Sequence, residues 1–140
     1  MNKVILAAAI FFMLSACAST PIGKLTEDEF VTKEVLLNKD YQSVYRNLIS
    51  GLRGCPVLGV PFGNIYTDIG EAHIDLYMGG GDNSARASKH AYGTISLKEV
   101  SPHQTKALYR LVKRSIYRLS NDAILSHWQA LSDGIDRCPD

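Results

Sequence analysis

Residues 101–120, Ser101-Pro102-His103-Gln104-Thr105-Lys106-Ala107-Leu108-Tyr109-Arg110-Leu111-Val112-Lys113-Arg114-Ser115-Ile116-Tyr117-Arg118-Leu119-Ser120, decide the architecture of this chain. They support two readings. As a helix, Ser101 caps the first turn, Pro102 takes the first position and Gln104 closes a capping box. Leu108, Leu111, Val112, Ile116 and Leu119 then form a stripe of helical period. As a strand, Thr105 to Ser115 pairs back on the preceding segment through a Ser-Pro-His-Gln turn. Periodicity alone leans to the helix.

Upstream, the period is two. Ala91 to Val100 reads as a strand with Ile95 and Leu97 facing in. Gly79 to Ser84 is a glycine-rich loop. Before it, Ala72, Ile74, Leu76 and Met78 alternate with His73, Asp75 and Tyr77, the pattern of a strand with one wet face. Gly70-Glu71 reads as a turn and Asn64 to Ile69 as a further strand. Pro56 to Gly63 holds two prolines and two glycines, which places it outside regular structure.

The clearest helix lies further upstream. Tyr41, Val44, Tyr45, Leu48, Ile49 and Leu52 fall on one face, Asp40 is placed to cap, Gly51 and Gly54 weaken the end, and Pro56 stops it. Phe30 to Leu37 is rich in β-branched residues and reads as a strand. Downstream, Ile124, Trp128, Leu131 and Ile135 share the face of a last helix, with Asn121 or Asp122 as cap, ending at Gly134 to Pro139. Trp128 on this stripe reads as core.

At the other end of the chain, Lys3 precedes an apolar run, Val4 to Met13, which is too short for a transmembrane helix. Leu14-Ser15-Ala16-Cys17 follows and resembles the lipobox of bacterial lipoproteins. The resemblance implies cleavage between Ala16 and Cys17, a diacylglycerol on the Cys17 thiol and an acylated amino group. Ala18, where an aspartate would resemble an inner-membrane retention signal, favours the outer membrane with the domain in the periplasm. The expected organisation is therefore a signal peptide over 1–16, a lipidated cysteine and flexible tether over 17–29, and one domain over 30–140.

Removing residues 1–16 leaves 124 residues, enough for a single core. It also takes away Lys3 and no acid, so 14 basic residues face 14 acidic ones. A neutral domain lacks the surplus cation that nucleic acid as a main partner requires. With Cys17 acylated, Cys55 and Cys138 remain, an even number in an oxidising compartment, and we expect them to pair.

Tyr41, Tyr45, Gly51, Cys55, Gly93, Trp128, Gly134 and Cys138 carry a second resemblance, to a loose group of small bacterial lipoproteins of unknown function. In that group the two cysteines join the ends of the two helices. The segment matching Thr105–Ser115 is an edge strand of an antiparallel sheet, which carries the 101–120 reading to the strand. The expected fold is α+β, an antiparallel sheet of four or five strands packed against two helices.

No motif names a reaction. His73, His90, His103 and His127 are scattered, and Gly79–Gly81 lacks the lysine and serine of a phosphate loop. We expect no catalytic residues, no metal site and no cofactor. The single basic cluster, Arg110, Lys113, Arg114 and Arg118, is a candidate contact for lipid phosphates, lipopolysaccharide or peptidoglycan carboxylates, set against the plainer reading of a solvated face. The expected function is that of a lipid-anchored envelope protein acting by binding or scaffolding, in contact with membrane lipid through Cys17 and with another envelope protein, lipopolysaccharide or peptidoglycan. Two rivals stand beside it. A small-ligand carrier needs an apolar cavity between sheet and C-terminal helix. A periplasmic hydrolase needs His73, Asp75 and a third polar group to converge in a cleft.

Overall fold

The computed structural model describes residues 25–78, 91–113, 119–135 and 138. Its regular elements run β1 (Phe30–Leu37), α1 (Tyr41–Gly54), β2 (Val60–Tyr66), β3 (Glu71–Tyr77), β4 (Gly93–Ser101), β5 (Gln104–Val112) and α2 (Asn121–Ser132). The five strands form one sheet in the order β1-β5-β4-β3-β2, antiparallel throughout. Two helices on a five-stranded sheet make this an α+β fold, as expected.

Within the deciding stretch, Gln104–Val112 is a strand, β5, and residues 114–118 lie outside the described residues. Ser101 pairs with Gln104 around Pro102-His103, and the hairpin then zips from Glu99↔Thr105 to Gly93↔Leu111. Strand alternation explains why the helical stripe misled. Thr105, Ala107, Tyr109 and Leu111 are buried, whereas Leu108 and Val112 lie on the other face. The strand is also not at the edge, as the resemblance implied. β1 pairs along its whole length with β5, from Phe30↔Val112 to Leu37↔Thr105, and takes the edge itself.

α1 forms as the spacing predicts. The Asp40 carboxylate accepts a hydrogen bond from the Ser43 amide at 2.9 Å, and the Ser43 side chain, then that amide, hold its pKa below the usual carboxylate value. Val44, Leu48 and Leu52 are fully buried, while Tyr45 and Ile49 are half-buried. Gly51 does more than weaken the helix end. A Cβ there would stand 2.5 Å from Leu131 Cδ2, so the glycine lets α2 cross α1 at close range. Asn47 Nδ2 donates to the Ser132 carbonyl at 3.3 Å beside the crossing.

Five boundaries differ from the expectations. Pro56–Leu58 is a 3-10 turn and Val60–Gly63 belongs to β2, so the interval is not irregular. An edge strand tolerates Pro61 because its missing N–H can face away from the neighbour. The strand then ends at Tyr66, and residues 67–70 turn. The cap of α2 is Ser120, whose hydroxyl accepts from the Ala123 amide at 3.2 Å. The helix ends in a Schellman motif: Gly134 at φ 78° donates to the Leu131 carbonyl, and Ile135 donates to the Ala130 carbonyl, both at 2.9 Å. That reversal turns Ile135 out to solvent instead of into the helical stripe. Finally, the tether expected over 17–29 ends in structure, because Glu27–Glu29 form a 3-10 turn packed on the sheet.

Both helices cover one sheet face. Ile74, Leu76, Ile95, Leu97, Ala107, Tyr109 and Leu111 meet Leu48, Leu52, Ile124, Trp128 and Leu131 in one cluster. Cys55 at the end of α1 is joined to Cys138 with a Cα separation of 5.4 Å, inside the usual span of a disulfide. The expected pairing is present.

Candidate functional site

Among the described residues neither helix lies on the second face of the sheet, and strand pairing decides which side chains meet there. One row crosses the sheet as Asn64–His73–Ser96–Leu108–Glu34, and the next as Phe62–Asp75–Thr94–Arg110–Thr32. The registers therefore unite residues far apart in sequence. His73 Nδ1 and Ser96 Oγ lie 3.0 Å apart, a hydrogen bond on the surface. Asp75 shares the strand and face with His73 but lies one row away, and among the described residues no hydrogen bond joins the two. Ser96 was not singled out in the sequence. The signal was its place in the alternation of Thr94, Ser96 and Lys98, which only the β3–β4 register sets beside His73.

This pair is poorly placed for acyl transfer. Serine hydrolysis needs donors aimed at a developing oxyanion, in a site from which water is excluded. β4 is a central strand paired on both sides, so its amides are committed to the ladders. His73 is itself exposed. The convergence in a cleft that a hydrolase requires is not what these residues make.

A carrier is no better served by the other face. The space between sheet and α2 is filled by Trp128 and Tyr109, both at zero exposure, with Ile95, Leu111, Ile124 and Leu131 around them. Tyr109 Oη and Ser132 Oγ are 2.7 Å apart, and Ser132 Oγ donates to the Trp128 carbonyl at 2.9 Å. Burial pushes the Tyr109 hydroxyl up to about 12, with the Ser132 hydrogen bond acting in the opposite sense.

The structure engages half of the basic cluster internally. Arg110 pairs with Glu27 and lies over the Phe30 ring, with its guanidinium carbon 4.5 Å from the ring centroid. Lys113 donates from Nζ to the Asp28 carbonyl and from its amide to the Glu29 carbonyl, the latter at 2.9 Å. These two cations clasp the Glu27–Glu29 turn to the ends of β1 and β5. Arg114 and Arg118 lie outside the described residues, as do Ala16, Cys17 and His90. Among the described residues, no three His, Cys, Asp or Glu side chains gather as metal ligands would, and no helix is long and apolar enough to cross a membrane.

Neither a protein-family model nor a curated protein matches this chain.

Proposed function

We propose that this chain is a lipid-anchored cell-envelope protein that works by binding or scaffolding. Its acylated Cys17 would hold it to the outer membrane, with the folded domain in the periplasm. The observation that carries the reading is Leu14-Ser15-Ala16-Cys17, directly behind the apolar run Val4 to Met13 and Lys3. The joined Cys55 and Cys138 fit an oxidising compartment, since structural disulfides are rare in the reducing cytosol. Binding is preferred to catalysis because His73 and Ser96 sit on an open sheet face, and to carriage because side chains fill the sheet–helix interface.

Acyl chains contribute ~0.8 kcal/mol per buried CH₂, and two or more are needed for stable attachment. Three chains on Cys17 satisfy that requirement. The test is intact-mass measurement of the protein extracted from membranes, together with fractionation of Cys17→Ser. We expect an amino-terminal Cys17 carrying acyl mass, and loss of membrane attachment or of processing in the variant. Unmodified Cys17 in membrane-extracted protein would overturn the reading.

A further inference from the structure

The two edges of the sheet are built differently. β1 carries Lys33 and Glu34, with Glu34 paired to Lys106 at 2.9 Å, and the Glu27–Glu29 turn is clasped at its start. Charged side chains on an edge discourage pairing with another chain. β2, Val-Pro-Phe-Gly-Asn-Ile-Tyr, carries no charge at all. Of the exposed large apolar side chains among the described residues, Val57, Ile65, Tyr66 and Ile69 belong to this strand or to the turns on either side of it. An edge strand offers a row of unpaired N–H and C=O groups. Pro61 removes one donor from this row, and among the described residues no charged side chain of β2 and no further strand guards the rest.

α1 runs close over the same edge. A Cβ on Gly63 would stand 2.6 Å from Tyr45 Oη and 2.9 Å from Ile49 Cδ1, so these two half-buried side chains lie directly on β2. By helical spacing, Tyr45 and Ile49 occupy the flank of α1 turned away from α2, which packs on the Asn47 and Gly51 side. Arg46 and Arg53 border that flank and are exposed. Neither forms an ion pair with a described residue. α1 itself carries no acid; Arg46 donates to the Ser43 hydroxyl at 3.3 Å and lies in the field of Asp40, which accepts from the Ser43 amide.

We propose that the β2 edge, walled by α1, accepts an extended segment of a partner protein by strand addition. This rests on the binding reading above but not on the lipid anchor. Main-chain hydrogen bonds to β2 would supply affinity, and alternate side chains the selectivity. Inward-facing side chains of the added strand lie beside Tyr45 and Ile49, and longer ones reach Arg46 and Arg53. The partner segment is therefore extended, with alternate positions drawn from apolar and acidic residues.

The test uses the isotope-labelled full chain in detergent and a probe peptide, Thr-Leu-Thr-Glu-Thr-Leu-Thr-Glu-Thr, read by amide chemical shifts. The expected result is that shifts concentrate at β2 and at the Tyr45–Ile49 flank. The same peptide with lysine for glutamate should bind about tenfold more weakly, the scale of one charge-assisted contact of roughly 1.4 kcal/mol. Ile65→Lys, which places a guarding charge on the edge, should abolish the shifts. Arg46→Glu with Arg53→Glu should reverse the preference between the two peptides. All these positions are exposed, and the undisturbed shifts of β4 and β5 report that each variant is folded. Shifts centred away from β2, no shift at millimolar peptide, or indifference to Ile65→Lys would each overturn the proposal. Concentration-dependent shifts at β2 without peptide would overturn the partner assignment in favour of a second copy. An unmodified Cys17 would leave all of these outcomes unchanged, so the two readings fail separately.

Discussion

The two faces of one sheet differ by a single residue of register. On the covered face, Ile74, Ile95, Tyr109 and Leu111 have zero exposure. One position along each strand, the open face holds His73, Ser96 and Lys106, with ion pairs Lys98–Glu71 at 3.1 Å and Lys106–Glu34 at 2.9 Å. Burying apolar area stabilises by roughly 25 cal/mol per Å², whereas exposed ion pairs contribute ~0–1 kcal/mol each. Stability is therefore concentrated in the helix-covered half, and the open half is free to vary its chemistry.

The largest break in that comparison should come from the disulfide, which belongs wholly to the helical half. Cys55 is fully buried, Cys138 is exposed, and the bond spans 83 positions. Chain entropy gives ~4–5 kcal/mol for a loop of that length, less where the reduced chain keeps residual structure. We expect Cys138→Ser, or reduction, to lower Tm by many degrees with an unchanged far-ultraviolet spectrum. An unchanged Tm would mean that packing alone fastens the helices.

Single side chains should sharpen the contrast at smaller scale. Leu48 on α1 is at zero exposure, and Leu48→Ala should cost ~2–5 kcal/mol in urea melts. Leu36 on β1 is chemically the same residue at 56 % exposure, and Leu36→Ala should stay within ~0.5 kcal/mol. Equal costs would mean that the open face is covered by something in the folded protein.

How much of this was legible in the sequence follows from the range of each signal. Local periodicity found α1, β3 and β4, because Leu48 and Leu52, or Ile74 and Leu76, repeat within one element. Counting cysteines found the disulfide. Residues whose reason lies on another element were misread. Gly51 reads as a poor helix former until Leu131 is set against it, and Gly63 as a breaker until Tyr45 lies on it. Pro61 excludes a central strand but not an edge one, and sheet order is invisible to a local rule. The basic cluster was legible as charge but not as geometry. Only the β1–β5 pairing shows that Arg110 and Lys113 hold the Glu27–Glu29 turn. Ser96 beside His73 depends in the same way on a register between distant segments.

The smallest effect concerns Tyr109, a titratable side chain sealed inside the covered half. Tyr109 sits at zero exposure with its hydroxyl against Ser132, and burial raises its pKa from 10.0 to about 12. Below pH ~10 the phenol is protonated in both the folded and the unfolded chain, so its contribution to stability is fully present. Between ~10 and about 12 the unfolded chain releases the proton while the folded chain keeps it, and stability falls with rising pH. At neutral pH, Tyr109→Phe should cost ~1 kcal/mol, the net value of one buried hydrogen bond, because Ser132 keeps its bond to the Trp128 carbonyl. The variant lacks the ionisable group, and every other tyrosine and lysine is common to both proteins. Its deficit should therefore shrink, then reverse, as melts are repeated from pH 8 to 11. A constant gap across that range would show that solvent reaches the phenol and that the covered face is less sealed than Trp128 and Leu111 make it.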